Sequence, residues 1–124
     1  MAGVKSQSTS ILDPTSINAL RDLSSGSDSN FIYNFIDLYK TNSAAMVEEI
    51  RSHAEVEASG PLRAAAHKLR GSSLNIGGMQ VAAVCGDLEK KAKKNDMSNV
   101  MEMVELLEDA YEALLEELAA VRAE

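Results

Sequence analysis

Apolar residues in this chain recur every three or four positions, the period of an α-helix, and no segment alternates as a strand does. The clearest stripe is Leu62, Ala65, Ala66, Leu69, Ser73 and Ile76. A second runs through Phe31, Phe35, Tyr39, Met46 and Ile50, widened by Ile32, Ile36 and Val47. A third holds Val81, Val84, Cys85, Leu88 and Ala92. The last holds Met101, Val104, Leu107, Tyr111, Leu114, Leu115, Leu118 and Val121, with Leu106 off to one side. A shorter run, Ile17, Leu20 and Leu23, follows Asp13-Pro14, a helix-opening pair, and is expected to point inward.

Breaks separate these stripes. Ser24 to Ser29 reads as a turn that also offers caps, and Ala58-Ser59-Gly60-Pro61 ends the long second helix. Thr41-Asn42-Ser43 is a weak spot where that helix is expected to bend. Gly77-Gly78 turns the chain, and Asn95-Asp96 stops the fourth helix, with Ser98 expected to cap the fifth. Four substantial amphipathic helices joined by short turns predict an all-α fold, an up-and-down four-helix bundle with a short extra N-terminal helix. Residues 1–10 are polar and expected to be flexible, leaving 11–124 as the bundle.

One helix carries something beyond packing. On a wheel of about 100° per residue, His67 lies roughly 140° from Leu62, away from the core stripe. Arg63, Arg70, Gly71 and Leu74 surround it. Glycine inside a helix costs about 1 kcal/mol relative to alanine. Two arginines, a bare glycine and an outward leucine around an imidazole are the mix expected of a docking surface rather than of an ordinary solvated face.

The stretch His67-Lys68-Leu69-Arg70-Gly71-Ser72-Ser73 resembles the motif of the histidine phosphotransfer (HPt) domain of two-component phosphorelays. That motif reads His-x-x-Lys-Gly-Ser/Ala-Ser/Ala, followed by a further glycine that Ile76-Gly77-Gly78 supplies here. The resemblance extends to the helix around Leu12-Asp13-Pro14, to Phe31, Phe35, Ile36 and Tyr39, and to Val84, Leu88 and Glu89, roughly residues 11–120 in all. Arg70 departs from the usual lysine; the charge is kept, but the donors form a rigid fork.

The resemblance implies a phosphocarrier, with His67 accepting a phosphoryl group from a receiver-domain aspartate and passing it on. Neutral imidazole is a nucleophile near physiological pH. A carrier state needs cations on the phosphoryl oxygens, an acceptor for Nδ1 and room for the partner. Arg70 suits the first need, with Lys68 pointing in a different direction. Gly71 suits the third. The family's Gln or Glu on the next helix falls at Glu89, which implies that Glu89 accepts from Nδ1. Arg63, Leu74 and Lys93 are expected to border the receiver-docking face. The implied partners are a response-regulator receiver domain and a hybrid sensor kinase, with Mg²⁺ supplied by the receiver and no cofactor of the chain's own.

Composition narrows the field. A net charge of −7 argues against a general nucleic-acid binder, which needs clustered Lys and Arg. Lys90, Lys91, Lys93 and Lys94 form the one clear basic cluster, at the end of a helix where cations suit the dipole. His53 is read the same way. Cys85, the single cysteine, sits on an apolar stripe and is read as buried, which fits a reducing compartment. No membrane span, signal peptide, phosphate-binding loop or kinase signature appears, so a cytoplasmic monomer that is not an enzyme is expected. Two rival readings are an HPt-like adaptor that docks a receiver or kinase without phosphotransfer, and a purely structural or oligomerising bundle.

Overall fold

The computed structural model describes residues 10–24 and 30–123. Five helices follow one another: α1 Pro14–Ser24, α2 Phe31–Glu55, α3 Ser59–Ile76, α4 Met79–Lys93 and α5 Val100–Arg122. Helices α2 to α5 form the bundle expected from periodicity, and α1 packs on α2 and α3. The N-terminal segment expected to be flexible, apart from Ser10, and the turn over residues 25–29 lie outside the described residues.

The α3 stripe is buried in full: Leu62, Ala65, Ala66, Leu69, Ser73 and Ile76. In α5, Val104, Leu107, Leu114 and Leu118 have no exposed surface. Elsewhere the stripes rotate by a position. The seam of α2 runs through Ile32, Ile36, Tyr39, Ser43, Val47, Ile50 and Ala54. Phe31 and Phe35 stand at its edge, half-buried and stacked with centroids 6.0 Å apart. In α4, Ala82 is buried and Val84 only partly so.

Two expectations need correction. Leu23 is 62% exposed rather than inward. Its place on the α1 seam is taken by Ser24, whose hydroxyl accepts the Ile32 N–H at 2.7 Å and so caps the start of α2 from outside the helix. The Thr41-Asn42-Ser43 stretch lies within α2, where the buried Ser43 hydroxyl pairs with Tyr111 at 2.7 Å. Ser98 does not cap α5. It bonds to Asp96 and Lys91, and Asn99, at the N-cap position with φ 60°, makes no side-chain cap bond. The Ser98 hydroxyl and backbone N–H, with Lys91, hold Asp96 down at about 2.

Two devices set the helix arrangement. Gly77 caps α3 at φ 84°, a left-handed conformation that favours glycine. Its carbonyl accepts the Asp13 N–H at 2.8 Å, tying α1 to the α3–α4 turn. A Cβ on Gly78 would come within 2.6 Å of Leu114, so α5 passes directly over the turn. Across the bundle, Arg51 of α2 grips Glu108 of α5 with two bonds of 2.7 and 2.8 Å, which lowers the Glu108 carboxyl.

The interior holds two groups that resist ionisation. Burial pushes the Tyr39 hydroxyl, which pairs with Ser73 at 2.8 Å, up to about 12. Burial pushes the Cys85 thiol up to about 12 as well, with the Glu89 carboxylate adding to the effect. Both folded-state values lie above the ordinary 10.0 and 9.0. Below pH 9 both folded and unfolded chains keep these protons, and the full stability is present. As pH rises from 9 toward 12 the unfolded chain releases them first, so stability falls. A series of thermal melts is expected to show a declining midpoint across that window. Cys85 is expected to resist alkylation in the native chain and to react in denaturant, as measured by mass spectrometry.

Candidate functional site

Helices α3 and α4 are folded back on each other about Gly78. His67 and Glu89 are equidistant from Gly78 in sequence, as are Arg70 and Gly86, and Leu74 and Ala82. An antiparallel helix pair joined by so short a turn places such residues side by side. The sequence therefore sets the register of the site through its turn.

The geometry follows that register. Nδ1 of His67 lies 2.8 Å from Oε2 of Glu89. A carboxylate oxygen accepts, so Nδ1 carries the hydrogen, and in the neutral ring Nε2 holds the lone pair. The other Glu89 oxygen, Oε1, accepts from Nη1 of Arg70 at 2.9 Å. The Arg70 stem passes over Gly86, where a Cβ would meet Cδ of Arg70 at 3.8 Å. Exposure is graded across the trio: Glu89 16%, Arg70 42% and His67 70% by side chain. The carboxylate is the sheltered anchor and the imidazole the outermost group. Pairs this exposed contribute only about 0–1 kcal/mol each to stability, so their role is orientation.

Beside the ring the surface is open. A Cβ built on Gly71 meets nothing within 4 Å. Packing within the chain therefore does not require glycine at this position. Next to Arg70 a groove of about 490 Å³ is lined by Leu74, Met79, Ala82 and Ala83, and by Ser10 and Asp13 before α1. Leu74 is exposed on the same helix as His67.

His67, Arg70, Glu89, Gly71 and Leu74 thus lie along one flank of the α3–α4 pair. Lys68 does not join them. It lines a separate groove with Glu49, His53 and Pro61 on the α2 side, because it lies about 100° round the helix from His67. Arg63 and Lys93 are exposed, at positions equidistant from Gly78. The Arg70–Glu89 bond is the feature that sequence reasoning did not identify. The signal was present in Gly86, which leaves the guanidinium stem a path across α4. Among the described residues, no cluster of three or more His, Cys, Asp or Glu is placed to hold a metal ion. No helix there is long and apolar enough to cross a membrane.

The family model described as Hpt domain matches residues 34–123, which include all three members of the His67–Glu89–Arg70 network. The chain belongs to the Hpt domain family. It is a histidine phosphotransfer protein of phosphorelays, and its partners are receiver or response-regulator and kinase proteins. Two solved structures share the Hpt fold. Histidine-containing phosphotransfer protein B (HptB) from Pseudomonas aeruginosa PAO1 superposes with a TM-score of 0.82 at 18% identity, covering 91% of this chain and 95% of that one. Histidine-containing phosphotransfer protein MtHPt2 from Medicago truncatula superposes with a TM-score of 0.78 at 20% identity, covering 98% of this chain and 81% of that one. No curated protein matches the chain in sequence.

In this Hpt domain the orientation of the imidazole rests on one bond, which makes it testable by spectroscopy. Long-range ¹H–¹⁵N correlation spectra are expected to show the Nδ1–H tautomer for neutral His67. In Glu89→Ala that preference is expected to disappear, with stability changed by less than about 1 kcal/mol. An unchanged tautomer would mean that Glu89 does not orient the ring.

Proposed function

We propose that this Hpt domain carries its phosphoryl group on Nε2 of His67 and relays it between receiver-domain aspartates. The supporting observation is the division of labour on the ring: Nδ1 is held by Glu89, and the rest of the imidazole stands open beside Gly71. In the forward step the Nε2 lone pair attacks the phosphorus of an aspartyl phosphate. The N–P bond forms as the P–O bond to the aspartate breaks, and the electron pair leaves with the carboxylate. Nδ1 keeps its hydrogen, and the positive charge that develops on the ring faces Glu89. The return step reverses these changes.

Arg70 commits one donor to Glu89, and a guanidinium has five. Its remaining donors lie one helical turn from His67, within reach of phosphoryl oxygens. Lys68, pointing toward α2, is given no contact with the phosphoryl group. Leu74, Arg63 and Lys93, with the groove beside Arg70, form the receiver's landing face. Mg²⁺ for the transfer comes with the receiver's aspartate. The chain acts as a cytoplasmic, monomeric carrier rather than as an enzyme, and takes phosphate from, or returns it to, a hybrid sensor kinase's receiver.

The direct test incubates the chain with a receiver charged by acetyl phosphate and follows label transfer. His67→Gln is expected to abolish labelling with helicity unchanged; normal labelling of that variant would refute the assignment. Gly71→Gln separates function from stability. Replacing a helical glycine is expected to stabilise the fold by about 0.5 kcal/mol in urea titration. The same change is expected to slow transfer by obstructing the receiver. Unslowed transfer would show that the open space beside the ring serves no partner.

A further inference from the structure

A second groove lies between α4 and α5, away from His67, with a volume of about 510 Å³. Ala83, Val84, Ala110 and Leu106 give it an apolar lining, and Asp87 and Asp109 stand at its edge. Leu106 is 60% exposed, although most large apolar residues of α5 are buried. Among the described residues no hydrogen bond or ion pair engages the Asp87 or Asp109 side chain. Glu105 and Glu112 extend the same negative charge along the exposed face of α5.

Charge selects the occupant. With a net charge of −7, a second copy of this chain meets net repulsion here despite its own cluster of Lys90, Lys91, Lys93 and Lys94, whereas a helix with a net positive face is drawn to the acidic edge. Shape selects its form, because a furrow between two packed helices is filled by the side-chain ridge of a third. We propose that the α4–α5 groove docks a basic amphipathic helix of a partner protein. Its apolar side chains would seat against Val84, Ala110 and Leu106, and its cations would meet Asp87 and Asp109.

This surface is separate from the phosphotransfer face. On α4, the flank bearing Ala82, Gly86 and Glu89 looks toward α3, and the flank bearing Val84 and Asp87 lies roughly 150° around the helix. The two grooves share only Ala83. A helix bound here leaves the imidazole open, so the carrier is held by one protein while it exchanges phosphate with another.

The test titrates the ¹⁵N-labelled full chain with a synthetic amphipathic helix of leucine and lysine. Saturable shifts concentrated on the seven groove residues, Gln80 included, are expected, with affinity falling as salt rises. Leu106→Ser is expected to weaken binding by about tenfold, since it removes the exposed apolar wall. Asp109→Asn is expected to weaken it further, and His67→Gln to leave it unchanged. Leu106 is a surface residue, so its loss does not threaten the fold. The proposal is overturned if a peptide of the same composition, scrambled to lose its apolar face, binds equally well. It is also overturned if Leu106→Ser binds normally, or if the chain alone self-associates through these residues in sedimentation.

Discussion

A single carboxylate on α4 holds two side chains of α3. Glu89 accepts from His67 with one oxygen and from Arg70 with the other, and it is the most sheltered of the three. Without it the imidazole would be one more rotatable surface group. With it, one nitrogen is occupied and the other is directed outward. The network adds little to stability, being half in water. Its effect is to fix a direction, and catalysis of group transfer depends on direction more than on affinity.

Everything that places Glu89 is packing. Leu88 and Cys85 bury the inner face of α4 with no exposed surface, which fixes the helix rotation. Gly77, in its left-handed cap, and Gly78, pressed against Leu114, make the turn tight enough that α3 and α4 return in a fixed register. That register brings His67 opposite Glu89 and Arg70 opposite Gly86. The local cost of glycine thus recurs in different settings: Gly77 and Gly78 shape the turn, Gly86 clears a path for an arginine stem, and Gly71 leaves open space beside the imidazole.

Much of this was legible before any coordinates. The bundle followed from periodicity, and the six-residue stripe of α3 is buried as read, which put His67 outside by rotation alone. Glu89 was reached through the family resemblance, and its hydrogen bond to Nδ1 is now seen in the geometry. What the sequence concealed were choices between near-equivalent neighbours. In α2, Ile32 and Ile36 took the seam while Phe31 and Phe35, one position round, packed at the edge. In α1 a serine displaced Leu23 from the interior, because its hydroxyl satisfied a backbone N–H at the start of the next helix. In α2 Ser43 joined the buried seam because its hydroxyl found a tyrosine hydroxyl far away in sequence. Each choice depends on a partner in another helix, which a single-helix wheel does not contain. Arg70's bond to Glu89 is of the same kind.

The central claim is that Glu89 occupies Nδ1 so that chemistry occurs at Nε2 of His67. The most direct measurement is ³¹P and ¹⁵N NMR of the chain after phosphorylation by a charged receiver. The account predicts one phosphorylated imidazole, that of His67, with the phosphorus coupled to Nε2 and the hydrogen retained on Nδ1. Phosphate on Nδ1, or on His53, would contradict it.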